Sequence, residues 1–287
     1  MAYYKTKIIF AFILFTAFVN PSIANASIIS TVRQNLNESV NQLIEARDDD
    51  GANILSEQNS ITHRKKVISD VLALSIQEII SVRNRLNSIN IEKGSYSWTI
   101  REIILQWISS EEKYFEEIRI RLGGILSPDE VKALAREMQN HRNESFNANL
   151  ANALDFIFIL RTLRLTDIAA DRWNKINTDL QRIERAGLIR ANTFAPKMLE
   201  ARERIDEAQT LADKSFALIK NIYLPTKEES LNPLITEIGQ NDEVIIEDKQ
   251  KPPSVRELCE AAMDNLKLGY DEFVKISTSV RRLLRLP

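Results

Sequence analysis

One cysteine, two histidines and seven glycines are spread over 287 residues. The lone Cys259 excludes an intramolecular disulfide framework, so stability has to come from packing. Cys259 shares a helical face with Ala262, Met263 and Leu266, which suits a small buried hydrophobe; an intermolecular disulfide is the sharper alternative. The two histidines, His63 and His141, form no Glu-x-x-His pair of the kind that di-metal bundles need. A four-ligand zinc site joining them to Cys259 would rest on tertiary proximity that the spacing does not suggest. Gly-x-Ser-x-Gly, a Gly-rich phosphate loop and His-Glu-x-x-His are missing too, so no short motif nominates a hydrolase, a nucleotide enzyme or a metalloprotease. No catalytic residue, metal or cofactor is therefore expected. Nor is charge of one sign in excess. With 38 basic and 40 acidic residues, the chain lacks the electrostatic footprint of a nucleic-acid binder.

Long hydrophobic runs are scarce as well, and the clearest one stands at the start. Lys5 and Lys7 precede an apolar run from Ile8 to Val19, followed by Pro21 and Ala24-Asn25-Ala26. A charged region, a short apolar core and an A-x-A motif make up a secretory signal peptide, and the core is too short to span a bilayer comfortably. The expectation is a signal peptide over 1–26, cleavage after Ala26 and a mature chain that starts at Ser27 in the periplasm, at the cell surface or in the medium. Retention as an uncleaved anchor is the alternative. No cysteine lies near the cleavage region, which excludes a lipoprotein anchor. The other strongly apolar stretch, 150–160, is interrupted by Asp155 and bounded by Arg161 and Arg164, so it reads as a buried bundle helix and not a span.

What fills the rest of the chain is helical periodicity. Ile29, Val32, Leu36, Val40 and Leu43 share a face of a helix over about 28–47. Ile68, Leu72, Ser75, Ile79, Val82, Leu86 and Ile89 step by alternating fours and threes, the rhythm of a coiled-coil seam, until Gly94. A third helix over about 97–122 carries Ile100, Ile104, Trp107, Phe115, Ile118 and Leu122 before Gly123-Gly124. Ser127-Pro128-Asp129-Glu130 then supplies a cap, a proline at the first helical position and a carboxylate able to reach back. Five asparagines between 140 and 152 lower helix propensity enough to predict a kink or break. Helix resumes over 150–165 and again over 167–186, to Gly187. Pro196 opens another, lined by Met198, Ala201, Ile205, Ala208, Ala212, Phe216 and Ile219. The pattern fails over 226–253, where prolines punctuate an acidic stretch. Ser254 and Glu257 form a second capping box, and Val255, Cys259, Ala262, Leu266, Gly269, Phe273, Ile276, Val280 and Leu283 line the closing helix.

The remaining candidates have plain readings. Asp48, Asp50, Gly51 and Glu57 fit calcium-loop positions 3, 5, 6 and 12, but Ala46 stands where the first ligand belongs, so a solvated acidic turn is expected. Glu137 and His141 suit a helix-surface pair at i,i+4, and Glu112 and Glu116 a solvated face. Asn37 and Asn143 head glycosylation sequons, which matter only in a eukaryotic secretory pathway. Arg281, Arg282 and Arg285 suit the end of a helix through its dipole better than a contact with anionic lipid.

These readings predict an all-α protein, an elongated helical bundle with long coiled-coil-like amphipathic helices. The expected parts are a signal peptide (1–26), a bundle over 27–225, an acidic Pro-containing linker over 226–253 and an amphipathic helix over 254–287 that docks on the bundle or on a partner. The chain has length for one elongated domain or two small ones. The function expected is non-enzymatic binding or scaffolding, through a protein partner or self-association, with no nucleic acid and no stable membrane insertion once the signal is removed. A membrane-active helical protein and an enzyme or ligand carrier with scattered site residues are the alternatives.

Overall fold

The computed structural model describes the backbone over 23–48, 54–225 and 252–284, and side chains over 30–42, 61–225 and 252–284. The described residues are all-α and hold no strand. The helices are α1 (Ile23–Asp48), α2 (Ile54–Asn87), α3 (Tyr96–Gly124), α4 (Pro128–His141), α5 (Asn147–Arg185), α6 (Ala195–Tyr223) and α7 (Val255–Leu283). Most of the expected signal peptide, the Asp49–Gly51 turn, 226–251 of the expected linker and Arg285 lie outside the described residues. No described helix is long and apolar enough to cross a membrane.

Contacts divide the chain into two units, Met1–Asn90 with Arg101–Leu150 and Ile91–Ile100 with Ala151–Pro287. The division at Leu150 falls inside the asparagine-rich stretch 140–152, where the sequence predicts a kink or break in the helix but no domain boundary.

In the first unit α1 packs on α2 and α2 on α4. The seam of α2 is buried where the four-three rhythm puts it, at Ile68, Leu72, Ser75, Ile79, Val82 and Leu86. Ser75 tolerates burial because its hydroxyl donates to the Val71 carbonyl, 2.9 Å away, while accepting from Arg142. Ser127 caps α4 by accepting from the Glu130 amide, and the Glu130 carboxylate reaches one residue past the cap to accept from Leu126. The asparagine-rich stretch does not break the chain of helices. It holds one π-helical segment, Arg142–Phe146, after which α5 begins.

Helix α5, all but the first four residues of which belong to the second unit, is one helix of 39 residues and not two. Leu165 and Thr166 carry it through, since Thr166 is buried and bonded to Gln209 and the Leu163 carbonyl. Phe156, Ile157 and Ile159 of the apolar stretch are buried in it. At its end Gly187, with φ +67°, adopts the left-handed conformation that glycine takes without a steric penalty. The Leu188 amide then reaches back to the Ile183 carbonyl, closing the helix.

Helix α7 packs antiparallel on α6 of its own chain. Ser215 of α6 lies by the Val255 carbonyl at the start of α7, Arg204 by Asn265, and Met198 by Ile276 toward its end. Both halves of the Ser254–Glu257 capping box form. Leu266 and Phe273 are buried in a cluster with Ala169, Ala201, Ile205, Ala208 and Ala262. Small residues on both helices allow a close approach: a Cβ on Gly269 would stand 3.4 Å from the Ala201 carbonyl oxygen. Cys259 is fully buried, and burial pushes its thiol above the usual range, against the pull of the Ser215 and Thr162 hydroxyls. Leu283, at the end of the expected stripe, is exposed.

Candidate functional site

A set of polar and ionisable side chains in the first unit surrounds the π-helical segment. Glu111 occupies a core position of α3, four residues before Phe115 and three after Ile108, and is only 5 % exposed. A carboxylate taken out of water needs donors, and two neighbours supply them. The Trp107 indole Nε1–H donates to its Oε1 at 2.9 Å, and His141 Nε2 lies 2.7 Å from its Oε2. Tyr114 lies over the His141 ring at 3.9 Å between centroids. Its hydroxyl is buried with no hydrogen-bond partner among the described residues. Burial, followed by the charge of Glu137, pushes this phenol up to about 12.

The next residue, Arg142, donates to Ser75 and Glu78 on α2, and its guanidinium covers the Phe146 ring at 4.9 Å. Phe146 in turn meets Phe115 edge-on. Consecutive residues thus fasten the end of α4 to two helices, His141 to α3 and Arg142 to α2. A π turn widens the helix locally, and such turns recur at functional sites. Here the groups around it bond to one another.

The i,i+4 pairing of Glu137 with His141 does not form. Glu137 takes both guanidinium nitrogens of Arg121 at 2.7 Å, which hold its carboxyl below the usual range, while His141 turns to Glu111. A bidentate guanidinium contact outcompetes a single imidazole bond. Glu116 pairs with Arg119 on the exposed face, as a solvated side chain should. Glu112 is instead half-buried and pairs with Arg83 of α2. Among the described residues no three His, Cys, Asp or Glu side chains come together in a group able to hold a metal ion. His63 lies on α2 and Cys259 in the core of the second unit.

Sequence reasoning passed over Glu111 and Trp107 as partners. The signal was present: Ile104, Ile108, Glu111, Phe115, Ile118 and Leu122 keep one four-three rhythm, so a charge stands in phase with the core.

Two shallow concavities lie on α3, with volumes of about 350 Å³ and 450 Å³. Ser109 and Lys113 line both, and none of Glu111, Tyr114 or His141 lines either. The second unit offers a different surface. Leu218 and Ile222, one turn apart on α6, are 41 % and 51 % exposed, and Leu211, two turns earlier on that face, is half-buried. No protein-family model, no curated protein and no solved structure matches this chain.

Proposed function

We propose that this chain is an exported, non-enzymatic helical binding or scaffolding protein of the cell envelope or extracellular space, working through an outer helix face. Its partner is another protein or a second copy of the chain. The observation that supports this reading is the exposed pair Leu218 and Ile222. Single exposed apolar residues are ordinary on protein surfaces. Leu218 and Ile222 are two large apolar side chains stacked at i,i+4 on α6, the kind of pair that a partner helix covers, whereas Leu211, two turns earlier, packs against the core cluster. The ionisable groups at the π turn favour the same reading, since Glu111 is engaged by Trp107 and His141, and Arg142 by Ser75 and Glu78 of α2. Export follows from the charged, apolar and small-residue parts of the first 26 residues. N-terminal sequencing of protein recovered outside the cytoplasm should read Ser27-Ile28-Ile29, whereas a full-length cytoplasmic product would overturn that half of the proposal. The binding half is tested by cross-linked capture from the native envelope, comparing the natural chain with one whose exposed pair carries charge.

A further inference from the structure

We draw no further inference here: the strongest candidate, the exposed apolar pair Leu218 and Ile222 on the last turns of α6, belongs to the surface already described, and nothing in the structure shows what covers it.

Discussion

Gly269 provides the sharpest test of how closely α6 and α7 approach. A glycine in mid-helix costs about 1 kcal/mol relative to alanine through backbone entropy. In Gly269→Ala the new methyl would stand 3.4 Å from the Ala201 carbonyl oxygen, 3.5 Å from Ile205 Cγ1 and 3.6 Å from Arg204 Cβ. Those are ordinary contact distances, so the gain in helix propensity should survive. The variant should be more stable than the natural chain by up to about 1 kcal/mol. Gly269→Leu adds three further carbons with Ala201 and Ala208 already fully buried in the facing helix, and overpacking of that kind costs about 1–3 kcal/mol. Urea unfolding followed by circular dichroism reads both changes as shifts in midpoint at unchanged slope. A leucine tolerated as well as alanine would refute the close contact. An alanine that destabilises by more than about 1 kcal/mol would refute the spacing from which the magnitude is worked.

The cluster at the π turn yields two more tests. Glu111→Ala leaves the Trp107 indole and His141 without their acceptor and should cost about 1–3 kcal/mol, while Glu116→Ala on the exposed face should stay within about 0.5 kcal/mol; equal effects in thermal unfolding would mean that Glu111 is not the buried acceptor. Tyr114 bears on alkaline stability. Its phenol is raised from 10.0 to about 12 in the folded chain, so between those values the unfolded state loses this proton first and stability falls as pH rises. Tyr114→Phe removes a hydroxyl without a partner, so it should be close to neutral at pH 7 and should flatten that decline. An unchanged slope of melting temperature against pH between about 10 and 12 would count against the burial of this phenol.

Periodicity made the helices legible, but not their partners. The α2 seam is buried at every position from Ile68 to Leu86 named from spacing, because an apolar stripe has one way to leave water. The caps at Ser127 and Ser254 were readable for a local reason, since the donors they satisfy lie within one turn. The Asn-rich stretch announced an irregularity but not its kind. A π turn depends on what Phe146 and Arg142 reach in three dimensions. Glu137 and Arg121 are sixteen residues apart, and no local rule ranks that pairing above a histidine one turn away. The Asn-rich stretch also contains the division at Leu150, but no local signal marks an irregularity as a boundary, since that depends on which helices touch.

Binding through the outer face of α6, as proposed, is open to a direct test. Purified chain from Ser27 onward and its Leu218→Glu, Ile222→Glu double variant should be compared as bait against an envelope extract, with chemical cross-linking and equal folded content verified by circular dichroism. Both substituted positions are already more than 40 % exposed, so the fold should tolerate the charges. The natural bait should hold a specific partner, or a cross-linked copy of the chain itself, that the double variant loses. The same adducts at the same yield from both baits would contradict the proposal.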